Sequence, residues 1–173
     1  MDPNASSMKT THDHNQLPDA CDMAIAIVTS RYHEDITSAL REGAVEAFLE
    51  SGGSMDRLEH VESPGTWELP VLCRALLHRD EDVPDAVIAL GCVIAGETSH
   101  DSHINHGVSS ALSTLAIDTG HPVAFGVITC SSMEQAQARA GGPVGNKGRE
   151  AMLAAIETVK TIRITSSTAT PTS

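Results

Sequence analysis

Short unbroken apolar runs recur along this chain, and each is followed by a longer stretch whose apolar residues return every three or four positions. Met23-Ala24-Ile25-Ala26-Ile27-Val28 is the first run, closed by Thr29-Ser30-Arg31. Its length and β-branched content predict a parallel strand buried on both faces. From Asp35 to Ser51 the apolar positions Ile36, Leu40, Ala44, Ala47 and Phe48 have helical spacing, and Gly52-Gly53 ends the helix. Arg57–Val61 is a weaker second strand. A turn at Ser63-Pro64-Gly65-Thr66-Trp67 leads from Glu68 into a helix carrying Leu69, Leu72, Leu76 and Leu77. Ala86–Cys92 predicts a third strand, Ser99–Asp118 a third helix, Val123–Ile128 a fourth strand and Met133–Arg139 a short helix. A glycine-rich break (Gly141, Gly142, Pro143, Gly145) precedes a last helix from Asn146 to about Ile162, with Met152, Ile156 and Val159 on one face.

Strands alternating with helices predict right-handed crossovers and a mainly parallel sheet between two helical layers. The expected fold is therefore α/β, a three-layer α/β/α sandwich on a four-stranded sheet. Residues 1–20 and 164–173 are polar and lack periodicity, so they read as disordered tails around a single domain at 21–163. His12 and His14, in the first tail, read as solvated.

Ligands of such sheets gather beyond the carboxyl ends of the strands. Four segments with chemistry fall there: Ser30-Arg31-Tyr32-His33, Pro64-Gly65-Thr66-Trp67-Glu68, Gly96-Glu97-Thr98-Ser99-His100 and Thr129-Cys130-Ser131. The third is the most informative. A loop entering a helix offers unpaired N–H groups and the positive end of the helix dipole, a natural seat for phosphate. His100 beside it is an imidazole able to exchange protons near neutral pH.

Composition narrows the partners. A formal net charge of −12 argues against nucleic acid or an anionic membrane surface as a general partner, while leaving room for a small anion in a local cationic pocket. Cys21, Cys73, Cys92 and Cys130 form no CxxC pair and read as free thiols. No run is long enough to span a bilayer and no signal core opens the chain, so a cytoplasmic protein is expected. GxGxxG and GxxxxGK[ST] motifs are missing, leaving nucleotide-dependent transfer without support.

Single residues stay ambiguous. Tyr32 and Trp67, the lone tyrosine and tryptophan, serve equally well as pocket walls or as caps on the core edge. Glu68 has an ordinary explanation as an acid at a helix N-terminus. Arg139 and Lys147 flank glycine-rich backbone, where they serve either as helix-end cations, with Asn146 as cap, or as anion ligands. His100, His103 and His106 recur every third residue, yet they belong to no recognisable closed zinc ligand set; no metal is expected.

Five blocks, taken in order, are highly specific together: Ser30-Arg31-Tyr32; Pro64-Gly65-Thr66-Trp67-Glu68-Leu69-Pro70; Gly91-Cys92-Val93-Ile94 with Gly96-Glu97-Thr98 and His100; Phe125-Gly126-Val127-Ile128-Thr129; and Glu134-Gln135-Ala136 with Arg139-Ala140-Gly141 and Gly145-Asn146-Lys147-Gly148. From about Ala24 to Ile162 the chain resembles the 6,7-dimethyl-8-ribityllumazine synthase family of riboflavin biosynthesis. The resemblance implies a cofactor-independent condensation of 5-amino-6-ribitylamino-uracil with 3,4-dihydroxy-2-butanone 4-phosphate, releasing phosphate and two waters. It makes His100 the proton-transfer residue, and Gly96, Glu97 and Thr98 a phosphate cradle completed by Arg139. Tyr32 stacks on the pyrimidine, Thr66, Trp67 and Glu68 line the ribityl and ring site, and Val93 and Ile94 edge the pyrimidine. Phe125, Arg139 and Lys147 come from the adjacent subunit of a homopentamer. Some members close pentamers into an icosahedral shell, a 60-mer, and the short Gly141-Gly142-Pro143-Val144 linker is like theirs. Residues near Asp19 to Asp22 are in position to add a strand to a neighbour's sheet, and riboflavin synthase is a further implied partner.

Three departures from the family pattern stand out. Ala95 replaces a usual arginine, Asp101-Ser102-His103 replaces an aromatic–acid–aromatic run, and His33 replaces a commoner asparagine. They motivate an alternative, a catalytically weak member acting as a flavin-like ligand binder or shell-forming structural protein.

Overall fold

A computed structural model of the chain describes residues 17–97 and 99–167. His12, His14, Thr98 and the last six residues lie outside that range. Four parallel strands, β1 (Ile25–Ser30), β2 (Leu58–Ser63), β3 (Ala86–Ile94) and β4 (Val123–Cys130), form one sheet in the order β2-β1-β3-β4. Helices α1 (Glu34–Glu50), α4 (Met133–Arg139) and α5 (Lys147–Ser167) cover one face, and α2 (Leu69–Leu77) and α3 (His100–Thr119) cover the other. The three-layer α/β/α sandwich expected from the alternation is thus present.

Period-two alternation builds the two halves of the core. Ile25, Ile27, Ile88 and Leu90 point toward α1 and α5, whereas Ala26, Val28, Val87 and Ala89 point toward α2 and α3. Each strand runs past the end of its apolar run. The ladder continues through Thr29↔Glu62, Ser30↔Ser63 and Ile94↔Cys130, and the polar Thr29, Ser30 and Ser63 are buried at the sheet's end. Hydropathy misses these residues because backbone pairing, not side-chain transfer, holds them in the sheet.

Helix ends follow local chemistry. Gly52 takes a positive φ of 83° after α1, and the Gly53 N–H donates to Phe48 O at 2.9 Å, which stops the helix. Asn146 caps α5: its Oδ1 accepts from the N–H groups of Gly148 (2.9 Å) and Arg149 (3.1 Å). The same side chain donates through Nδ2 to Ala39 O of α1 at 2.8 Å, filling the space that a side chain at Gly43 would need. At Gly148 a Cβ would overlap the Leu40 carbonyl, so glycine there allows α1 and α5 to touch along their backbones.

Three features depart from the sequence reading. The glycine-rich break is a small antiparallel hairpin, β5 (Ala140–Gly142) and β6 (Gly145–Asn146), turning through Pro143-Val144, with positive φ at Gly141 and Gly145. The last helix continues to Ser167, through residues grouped with the tail, and Arg163 bonds Asp22 and Asp85 at 2.9 Å each. Ala20, grouped with the N-terminal arm, is buried and its N–H donates to Ser51 O at 2.7 Å; the adjoining Cys21-Asp22 is a turn rather than a strand in the single chain.

Candidate active site

The chain leaves β1 for one side of the sheet, then returns across it to β3, so the carboxyl ends of β1 and β3 flank a topological switch point. A cavity of about 590 Å³ opens there, within the range that holds small molecules. Tyr32 and His33 border it after β1, Gly65 to Glu68 after β2, and Cys92 to Ile94 at the end of β3. Gly96, His100, Asp101 and Ile104 complete it from the loop and first turns of α3.

Local rules place each group. Arg31 N–H donates to Ser63 O at 2.8 Å, carrying the β1–β2 ladder one step further, and Tyr32 N–H donates to Ser30 Oγ at 3.2 Å. The chain turns at His33, whose φ of 60° and ψ of 51° lie in the left-handed region. Asparagine, aspartate and histidine are the side chains that best tolerate it, which accounts for a histidine where the resembled family favours asparagine. The Tyr32 and His33 rings meet edge-on with centroids 4.7 Å apart.

After β2, Ser63 Oγ donates to Gly65 O at 2.7 Å and fixes the Pro64-Gly65 turn. Glycine at 65 leaves room for the Glu68 carboxylate, whose Oε2 would lie 2.9 Å from a Cβ at that position. Thr66 is buried beneath the cavity against Gly91 of β3, where a Cβ would come within 2.9 Å of Thr66 Oγ1. Burial pushes the Cys92 thiol up to about 11, leaving a neutral wall at physiological pH. His100 opens α3 with its side chain exposed, and Ile104, one turn on, lines the same cavity.

Eight of the residues singled out in the sequence, Tyr32, Thr66, Trp67, Glu68, Val93, Ile94, Gly96 and His100, meet at this one cavity. Glu97 is exposed beside it without lining it, and Thr98 lies outside the described residues. Phe125, Arg139 and Lys147 do not line it either. Phe125 is exposed on edge strand β4, Arg139 donates to Gln135 O at 3.1 Å, and Lys147 pairs with Glu150. Arg139 still belongs to this end of the sheet: burial pushes the Cys130 thiol up at the tip of β4, and the Arg139 charge partly opposes that shift.

Five lining residues have no role assigned from the sequence: His33, Gly65, Cys92, Asp101 and, in the next turn of α3, Ile104. Ile104 was detectable as the residue four positions after His100 on one helix face. Asp101 was noted only as a departure. Among the described residues no lysine or arginine lines the cavity, and no group of three or more His, Cys, Asp or Glu side chains is placed to hold a metal ion. Nor is any described helix long and apolar enough to cross a membrane.

Comparison with known proteins agrees with the motifs. A family model for 6,7-dimethyl-8-ribityllumazine synthase matches residues 22–163. The 6,7-dimethyl-8-ribityllumazine synthase of Deinococcus deserti is 42% identical over 144 residues, covering 83% of this chain and 91% of that protein. The enzyme of the same name from Rhodopirellula baltica is 43% identical over 138 residues, covering 79% of this chain and 86% of its own length. That from Aquifex aeolicus is 43% identical over 135 residues, with 78% and 86% covered. With motif order, sheet topology and a cavity at the switch point in agreement with these matches, the chain belongs to the 6,7-dimethyl-8-ribityllumazine synthase family.

Proposed function

We propose that the cavity is one half of a shared active site, at which the chain condenses 5-amino-6-ribitylamino-uracil with 3,4-dihydroxy-2-butanone 4-phosphate. The chain is a transferase of riboflavin biosynthesis. Its reaction attaches an aromatic amine to a ketone carbonyl as an imine, expels phosphate and closes a second ring. One phosphate and two waters leave, and the atoms balance without oxidant or reductant. The protein must supply proton transfer, a grip on a dianion and a flat slot for the pyrimidine.

Each demand has a group at the cavity. His100 takes the proton released as the amine adds and returns it to the leaving water. The backbone N–H groups at the N-terminus of α3, which opens at His100, offer the phosphate a seat. Tyr32, 66% exposed although the chain has only four aromatic residues, presents its ring for stacking on the pyrimidine. Glu68 accepts hydrogen bonds from ribityl hydroxyls, while Val93 and Ile94 exclude water from the ring edge.

The observation that carries the shared-site reading is that no lysine or arginine is among the described residues lining a cavity assigned to a phosphorylated substrate. Helix-end N–H groups alone leave a dianion poorly matched beside Glu68 and Asp101, in a chain of net charge −12. Arg139 and Lys147 of a neighbouring copy supply the missing charge, and Phe125 of that copy closes the slot. The homopentamer is the assembly proposed, with the icosahedral shell and riboflavin synthase as further associations. Uncovered apolar side chains on α2 and α3, Val71 at 64% and Ile117 at 79% exposure, support burial against other copies.

The test is a two-substrate assay that follows lumazine absorbance and free phosphate together, with the mass in solution measured by light scattering. One phosphate per lumazine from an oligomer is the expected result. A folded oligomer that binds the aminouracil but releases no phosphate would overturn the assignment of catalysis to this cavity.

A further inference from the structure

Gly107 lies eight residues into the twenty-residue α3, where a helix would gain from almost any other side chain. Its surroundings give a reason for it. A Cβ at 107 would come within 2.6 Å of Cζ3 and 2.9 Å of Cη2 of Trp67, so the benzo edge of the indole rests directly on bare helix backbone. His100, Ile104 and Gly107 follow one another at helical spacing along a single face, the first two lining the cavity that Trp67 also lines. The indole is held against the same helix that carries the imidazole, about 10 Å along its axis.

We propose that Gly107 is a positioning residue that sets the width of the substrate slot by seating the Trp67 ring. This rests on the reading of the cavity as the aminouracil site. A methyl group at 107 cannot share the space with the ring. Trp67 is 58% exposed, so the ring swings away rather than distorting the helix. The wall then leaves the slot while His100 and the α3 N-terminus keep their places. Gly107 therefore governs the fit of the ring substrate and not the proton transfer.

Gly107→Ala separates these roles, and Trp67, the single tryptophan, reports the ring's position through intrinsic fluorescence. The expected result is a red-shifted Trp67 emission, with KM for 5-amino-6-ribitylamino-uracil raised about five- to tenfold, the scale of one lost aromatic contact. The kcat and the KM for the butanone phosphate stay within about twofold. In a Trp67→Phe background, whose shorter side chain lacks the benzo edge, adding Gly107→Ala leaves KM where Trp67→Phe alone puts it.

Unchanged emission and KM in Gly107→Ala would overturn the seat and leave the assignment of the cavity intact. A shifted emission with neither KM altered would show that the moved wall does not face substrate, and the cavity assignment would fall with the proposal. If Gly107→Ala alone does not fold while the double variant does, the collision with the indole is established and the KM comparison passes to Gly107→Ser in the Trp67→Phe background, where no change is expected. Failure of the double variant as well would mean that the glycine serves the helix and not the ring, overturning the proposal.

Discussion

At His100 the side chain is exposed at the mouth of the cavity, and its removal costs little buried contact. That separates chemistry from folding. His100→Ala should lower kcat by about 100-fold or more, the usual contribution of a positioned acid–base group. The urea midpoint should stay within experimental scatter, because surface truncations away from caps and networks shift stability by about 0.5 kcal/mol at most. Turnover preserved in a folded His100→Ala variant would remove the proton-transfer role. On the proposed reading, the two family departures beside it act on binding: Ala95 withholds a cation from the loop assigned to phosphate, and Asp101 adds a carboxylate to the cavity wall. Both leave anion capture more dependent on charge supplied from outside the cavity.

One secondary-structure junction, the β6–α5 turn, shows how far local sequence reaches. The Asn146 cap of α5 is legible from Asn-Lys-Gly before an apolar helical pattern, and the structure forms it. Its second bond, to Ala39 O across α1, is not legible, because the partners lie 107 residues apart. Asn146→Ala therefore removes a cap, worth about 1 kcal/mol, and the additional hydrogen bond to the Ala39 carbonyl, worth about 1 kcal/mol more. Chemical denaturation should register the sum, about 2 kcal/mol; a loss near 1 kcal/mol would mean that the bridge to α1 contributes nothing. The same contrast holds elsewhere. The strands were readable because burial on both faces makes them continuously apolar, and the rim because strand ends follow from strand order. The β5–β6 hairpin carries no alternation and so gave no signal. The last turn of α5 is rich in Ser and Thr, and the bonds from Arg163 to Asp22 and Asp85 are made between residues far apart in the chain. Cavity residues fixed by strand ends or by the loop before α3 could be named from sequence, and Ile104 by its helical spacing from His100, whereas Cys92 emerges as a wall only when β3 is seen beside the cavity.

On the shared-site proposal, the chain as a whole carries two incomplete half-sites. One is the cavity, with His100 and no lysine or arginine among its described lining residues. The other is proposed to comprise Phe125 of β4, Arg139 at the end of α4 and Lys147 at the start of α5, none of which lines that cavity. Cyclic assembly joins unlike surfaces of identical chains, so each copy can complete its neighbour's site. This has a consequence that no single-chain site shares. His100→Ala and Arg139→Ala should each be nearly inactive when pure, the first in kcat and the second chiefly in KM for the butanone phosphate. Co-assembled in equal amounts, they should recover activity at contacts where an intact cavity meets an intact Arg139. Random mixing in a closed ring gives about one quarter of the sites that combination, so about a quarter of wild-type activity should return. If each cavity instead used its own chain's Arg139, every site in the mixture would carry one lesion and no activity would return. Steady-state assay of the co-refolded mixture, against the two variants assembled separately, distinguishes a site shared between copies from one built within a single chain.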